Sequence, residues 1–304
     1  MNSDHSTLGP GTARRGDAET APARLPAPST EHMRDLLPAI EPERTIDDWG
    51  RSEHFEGLLD RTLVDFLYRY WFRAEVEGVE NVPAGGGGLL VSNHAGALPP
   101  DAAMIGKAIK EEHSHPRPLN VLVEHFFKGF PLFSMMLPRI GCVAAHPANA
   151  HRLLHDEQQL VLVFPEGAKA TEKLYSERYR LRRFGRGGFV VAAMKAGAQI
   201  VPVCVVGAEE AAPVFYQAKF LKRLTGLLYF PVTPTFPLLG PLGMLGYLPA
   251  KFRIRFLEPI DTAGLGAEAA DDRALVQSIA QEVRARIQEG LDDMLSARRS
   301  VWFG

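Results

Sequence analysis

The chain has 304 residues, 46% hydrophobic and 23% charged, with a formal net charge of −2 at pH 7. This is globular composition, enough for one large domain or two small ones, and it gives no electrostatic ground for a nucleic-acid partner. The two cysteines, Cys142 and Cys204, lie in apolar runs and read as small core side chains, not as a disulfide framework.

Residues 1–45 are rich in Pro, Gly, Ala, Ser and Thr. No apolar segment follows their arginines, so they read as a disordered tail without a signal peptide. "DWGRSEHFEGLLDRTLVDFLYRYWF" then places Leu59, Leu63, Phe66, Leu67, Tyr70 and Trp71 at helical spacing. "RAEVEGVENVP" alternates like a strand. From there strands are expected near Leu89–Ser92, Asn120–Glu124, Ile140–Ala145, Leu160–Phe164, Ile200–Val205 and Arg253–Leu257. Helices are expected between them, at Asp101–Lys110, Phe126–Leu137, Ala148–Glu157 and Gly187–Ala196. A last helix, about 274–295, has Val276, Ile279, Val283, Ile287, Leu291 and Met294 on one face. Runs such as "LVLVF" are apolar throughout, which suits strands covered on both sides. The fold class is therefore α/β, a single domain over 46–299 with a mixed, mostly parallel sheet flanked by helices.

Leu224 to Ala250 contains no ionisable acid or base, but five prolines and four glycines interrupt it. Such a stretch cannot satisfy its own backbone across lipid. It reads either as core or as a loop lying in a membrane interface.

Three pieces carry chemistry. "LLVSNHAGALPPDA" puts His94 at the end of a strand and Asp101 in the first turn of a helix. Carboxyl ends of strands are where α/β sheets gather ligands. A carboxylate returning to Nδ1 would leave Nε2 as a base; the plain alternative is a capping Asp and a loop His. "LVLVFPEGAKA" ends a buried strand in a turn holding Glu166 and Gly167, with Lys169 after it; the plain alternative is a surface acid at a corner. "SERYRLRRFGRGGF" has five arginines within nine residues, Arg178 to Arg186, before a glycine-opened helix. Guanidinium forks suit phosphates; the plain alternative is a solvated face partly paired with Glu172 and Glu177. His151 and His155 are spaced i, i+4, yet no H-E-x-x-H is present and an exposed face is the better reading. No metal site is expected, and neither a G-x-S-x-G elbow nor a Walker loop is present.

The order Asn93-His94 … Asp101, then "FPEG" at 164–167, a glycine-bearing helix start and "IVPV" at 200–203 resembles the glycerolipid and lysophospholipid acyltransferase family, of the 1-acylglycerol-3-phosphate acyltransferase type. The resemblance covers about Phe72 to Pro259. It implies transfer of an acyl group from acyl-CoA or acyl carrier protein to a lipid hydroxyl, with these thioesters as substrates and no cofactor. His94 matches the catalytic His, Asp101 its partner, and Glu166 and Gly167 the acceptor-binding corner. Asn93, Lys169, Arg183 and Arg186 join them as candidate substrate-binding residues. The expected partners are acyl-CoA, a lysolipid or glycerolipid, and a membrane surface, with the protein peripheral on the cytoplasmic face.

The chain departs from the family pattern in three places. The acid comes two residues late, with Pro99 at the usual position. Ala168-Lys169-Ala170 replaces the usual Thr-Arg-Ser, and His146-Pro147 stands where an Arg usually ends its block. A thioester is already activated, so an alcohol needs only a general base to attack it. A hydrolase using the same pair, or a non-catalytic lipid-binding protein on the same fold, are the competing readings.

Overall fold

The structure is a computed structural model that describes residues 45–94, 100–124, 131–167, 170, 172–218, 220 and 230–304. The expected tail therefore lies outside the described residues, apart from its last position.

Helix α1 (Glu53–Leu59) continues through wide turns at Asp60–Val64 and Leu67–Trp71. The Ser52 hydroxyl caps it, accepting from Phe55 N at 3.3 Å. There follow β1 (Glu75–Glu77), β2 (Gly88–Ser92), α2 (Asp101–Glu112), β3 (Leu119–Val123), α3 (Pro131–Arg139), β4 (Cys142–Ala144), α4 (Pro147–His151), β5 (Leu160–Val163) and α5 (Gly188–Ala196). Then come β6 (Gln199–Val206), α6 (Ala208–Ala211), β7 (Tyr216–Gln217), β8 (Pro231–Val232), β9 (Arg253–Phe256) and α7 (Arg273–Ser296). The expected strands and the terminal helix are present, with ends shifted by a residue or two. The helix expected from Phe126 is described from Pro131 onward. The one expected over Ala148–Glu157 is a short α-helix followed by a wide turn at Arg152–Asp156. The β7–β8 pair has too few residues to show a period.

Among the described residues seven strands form one sheet, in the order β1-β9-β6-β2-β5-β3-β4. Every neighbouring pair is parallel except β6 with β9. The chain leaves β2, crosses to β3, returns to β5 beside β2, and later lays β6 on the other side. The carboxyl end of β2 is thus flanked by those of β5 and β6, where open α/β sheets bind ligands.

Alternation along these strands fills two cores. Leu89, Val91, Val161, Ile200, Cys204 and Val206 pack on the face covered by α5 and α7. Leu90, Leu160, Leu162, Val201, Val203 and Val205 pack on the face covered by α2 and the end of the α1 run, with Tyr68, Phe72, Met104 and Ile105. Side chains alternate between faces with period two, so a strand buried on both sides is apolar at every position. Helix α7 lies close to β6: a Cβ at Gly290 would come 2.7 Å from Cys204 Sγ. On the other face buried Lys107 ties α2 to the α1 run, 3.4 Å from Asp60 and 3.1 Å from Asp65, and within α2 it pairs with Glu111 at 2.8 Å.

Ile287 is fully buried in the α7 face. Ile287→Ala is expected to lower stability by about 2–5 kcal/mol through lost burial and a residual cavity. Exposed Glu289→Ala is expected to stay within about 0.5 kcal/mol. Urea denaturation of the two variants checks the assignment of this face.

Candidate active site

Strand β2 stops at Ser92, and the two residues after it shape the site. Asn93 is buried and its amide spans to β6: Nδ2 donates to Val205 O at 2.9 Å, and Oδ1 accepts from Val205 N at 2.8 Å. Each end of the amide thus holds a β6 backbone group, so Asn93 anchors the strand end. His94 comes next and is partly exposed. Its Nδ1 lies 3.1 Å from Oδ2 of Asp101, the first residue of α2, whose side chain is fully buried. The late acid of the sequence is therefore the one that meets the imidazole. The ring stacks on Phe164, with centroids 4.0 Å apart and planes 25° apart. Phe164 ends the β5 run, so a second strand end shapes the same site.

Glu166, in the turn after β5, is buried. Its Oε2 accepts from Arg182 N at 2.7 Å, and its Oε1 accepts from His94 N at 3.5 Å. Lys173 Nζ, also buried, lies 3.6 Å from Glu166 and 2.9 Å from Glu209. The plain alternative of a surface acid therefore fails for Glu166. Gly167 has φ +61°, and a Cβ there would come 2.7 Å from Glu124 Oε1, so glycine suits both the turn and the space.

Glu209 and Glu210 follow β6 and are buried as well. Glu209 accepts from Tyr179 N; Glu210 accepts from the Tyr179 hydroxyl and pairs with Arg298 at 3.2 Å. Burial pushes the Glu209 carboxyl up to about 7 despite the pull of Lys173, and the charges of Glu166 and Asp101 push the same way. Burial also raises Glu210, opposed by Arg298 and Arg178.

A buried acid holding an imidazole at a strand end is equipped to take a proton from a hydroxyl. The family model described as Acyltransferase matches residues 73–206, which span β2, α2 and β5 with both motifs. An uncharacterised protein of Mycobacterium tuberculosis (strain ATCC 25618 / H37Rv) is 44% identical over 260 residues, covering 86% of this chain and 72% of that protein. The chain belongs to the acyltransferase family. Phytyl ester synthase 2, chloroplastic, of Arabidopsis thaliana is 25% identical over 310 residues, 90% of this chain and 41% of that protein. The crystal structure of the 1-acyl-sn-glycerophosphate acyltransferase PlsC from Thermotoga maritima covers 88% of both chains at 17% identity with a TM-score of 0.50, a likeness of fold. The protein is an acyltransferase.

The acyltransferase site uses the sequence candidates unequally. His94, Asp101, Glu166 and Gly167 share one end of the sheet, and Asn93 braces it. The arginine run divides. Arg178 lies over the Tyr175 ring at 4.5 Å and pairs with Glu210 at 3.9 Å. Arg182 gives its backbone N–H to Glu166 and pairs with Glu177 at 3.5 Å. Arg180, Arg183 and Arg186 are exposed. Lys169 lies outside the described residues. Phe164, Lys173, Tyr179, Glu209 and Glu210 escaped the sequence reading. One signal was present, the acid pair closing "IVPVCVVGAEE" directly after a continuous apolar strand.

In the charge-free stretch, residues 221–229 lie outside the described residues. Phe236 is buried and packs on Phe230 with ring centroids 5.0 Å apart, so these two belong to the folded body. Leu238 and Leu239 are 84% and 66% exposed. The stretch is thus part core and part surface.

The raised Glu209 carboxyl favours the folded state most when protonated. Its contribution is complete below the unfolded carboxylate range and is lost as pH rises through about 7. The melting temperature of wild type minus that of Glu209→Gln is therefore expected to fall by several degrees between pH 5 and pH 8. Thermal melts across that range check it; a flat difference would show that Glu209 titrates normally.

Proposed function

We propose that the protein moves a fatty acyl group from an acyl thioester, acyl-CoA or acyl carrier protein, directly to the hydroxyl of a lysolipid or glycerolipid, with His94 as general base. The observation that carries this is the 3.1 Å contact between His94 Nδ1 and buried Asp101 at the carboxyl end of β2. With Nδ1 engaged, Nε2 is the nitrogen that takes the proton. The hydroxyl oxygen attacks the thioester carbonyl carbon as His94 accepts its proton, and Asp101 stabilises the imidazolium. The carbon–sulfur bond then breaks and the leaving thiolate takes the proton back from His94. Neither a serine nor a cysteine of the protein is acylated. Exposed Arg183 and Arg186, with Lys169, are assigned to donor or acceptor phosphates. The two relatives are named for a phytyl ester and for acyl-glycerophosphate, which supports a lipid hydroxyl without fixing the head group.

Among the described residues no helix is long and apolar enough to cross a membrane, and we assign the protein to a membrane surface. Leu63, Phe66 and Tyr70 are exposed at i, i+3 and i+7 along the α1 run, opposite buried Tyr68 and Phe72. The Phe66 ring contacts that of Trp71, whose Nε1 donates to Tyr247 O at 3.1 Å. The stripe therefore runs toward the segment that exposes Leu238, Leu239 and Leu245. Exposed apolar side chains of this kind suit an interface.

Purified protein given labelled acyl-CoA and a panel of lysolipids and glycerolipids is expected to yield labelled acyl-lipid. Free fatty acid would identify a hydrolase, and no product a binding protein. His94→Ala is expected to lower turnover by about 10²-fold or more. Asp101→Asn should remain folded and lose much of the rate, because the imidazole is no longer held in one tautomer. Near-wild-type turnover in folded His94→Ala would end the mechanism.

The docking assignment has its own check in vesicle sedimentation. Wild type is expected to pellet with lipid vesicles, and a Phe66→Ser, Leu238→Ser, Leu239→Ser variant to stay in the supernatant with unchanged melting. Equal pelleting of the two would place the contact elsewhere.

A further inference from the structure

The charged residues behind the dyad form a connected array that the reaction itself does not use. The Glu166 carboxylate meets the backbone N–H of His94 through Oε1, while its Oε2 accepts from Arg182 N and faces Lys173 Nζ at 3.6 Å. Lys173 in turn faces Glu209 Oε1 at 2.9 Å. Its ammonium therefore lies between carboxylates carried by two strand ends, the turn after β5 and the helix after β6. Side-chain exposure of Lys173, Glu166 and Glu209 is 3%, 0% and 6%, so water screens little of this charge.

The far side of the array is fixed as well. Tyr179 has φ +62°, a backbone region uncommon for a residue with a side chain. Its N–H donates to Glu209 and its hydroxyl to Glu210, while the hydroxyl oxygen accepts from Gly207 N at 2.9 Å. Its carbonyl accepts from Gln288 of α7 at 3.0 Å. The loop carrying Arg182 is thus fastened to the end of β6, and through Arg182 N to Glu166.

We propose that Lys173 and Glu209 are positioning residues for the His94–Asp101 pair, acting through Glu166. This rests on the acyl-transfer reading of that pair. Two carboxylates facing each other across a buried gap cannot both stay ionised without a cation between them. If Lys173 loses its charge, Glu209, the acid that burial already raises, takes the proton. Glu166 is then left without the cation that faces its Oε2 at 3.6 Å, and the corner that seats the imidazole relaxes around it. A small misplacement of a base costs rate steeply, because the near-attack geometry is lost. Stability alone does not call for this array, since a neutral pair of similar shape replaces buried ions at little or no cost.

The test compares Lys173→Met with the double variant Lys173→Met, Glu209→Gln. Melting temperature, kcat and KM are measured together with the His94 ring signals in ¹⁵N-histidine-labelled protein, assigned with His94→Gln. The single variant is expected to lose stability and about tenfold or more in kcat, with KM for either substrate changed less than about threefold. The double variant, with the buried charge removed in a balanced way, is expected to recover most of its melting temperature but not its kcat. Its His94 ring signals should remain displaced from wild type. Should the single variant fail to fold, the double variant alone decides. Recovery of both melting temperature and kcat, with His94 signals as in wild type, would reduce the array to a structural ion cluster and overturn the proposal. A double variant that does not fold would do the same, by showing that the fold requires the charges. The acyl-transfer reading fails separately. If wild type transfers no acyl group while the His94 signals still respond to Lys173→Met, the positioning stands and the reaction assignment falls.

Discussion

Four carboxylates, those of Asp101, Glu166, Glu209 and Glu210, are buried at one end of an apolar sheet. A buried charge is tolerated only where cations and N–H groups meet it, and much of the local structure answers that requirement. His94 meets Asp101, and Lys173 stands between Glu166 and Glu209. Arg298, two residues past α7, reaches back to Glu210. The irregular loop around Tyr179 and Arg182 supplies backbone N–H groups to two of the acids. The contacts that make these acids tolerable to the fold are thus the ones that hold the site.

Mechanical continuity runs the other way too. Helix α2 begins with Asp101 and grips the α1 run through Lys107, which meets Asp60 and Asp65, and through Glu111, which pairs with Arg69. The exposed apolar stripe on that run is therefore fastened to the helix that supplies the acid of the dyad. Under the proposed docking, a protein resting on a bilayer through this stripe would keep His94 and Asp101 in a fixed relation to the surface, as the proposed acceptor, with its hydroxyl at the headgroup level, requires.

Much of this was legible in the sequence. The α/β class followed from short apolar runs separated by helical periods, and the two-sided core from runs such as "LVLV" with no polar alternation. His94 and Asp101 were legible because a strand end and a helix start are both local features. Glu166 was legible as a position but not as a contact, since its partners Arg182 and Lys173 arrive through the fold. Asn93 looked like a ligand-facing residue beside His94; its amide is occupied by Val205, more than a hundred residues away. Phe236 lies in a stretch that read equally as core or as interface, and it is core, because hydrophobicity alone does not say which side of a loop faces inward. Lys173 and Tyr179 were hidden because the loop that carries them has no period and is ordered by buried charge, and the partners of Glu209, which follows β6, arrive only through the fold.

Direct transfer requires that His94 move a proton and that no acyl group ever be attached to the protein. Intact-mass measurement of the enzyme, quenched by acid during turnover and again with acyl thioester but no acceptor, tests that claim most directly. Direct transfer predicts the unmodified protein mass under both conditions. A species heavier by one acyl group, formed and consumed at the rate of turnover, would contradict it.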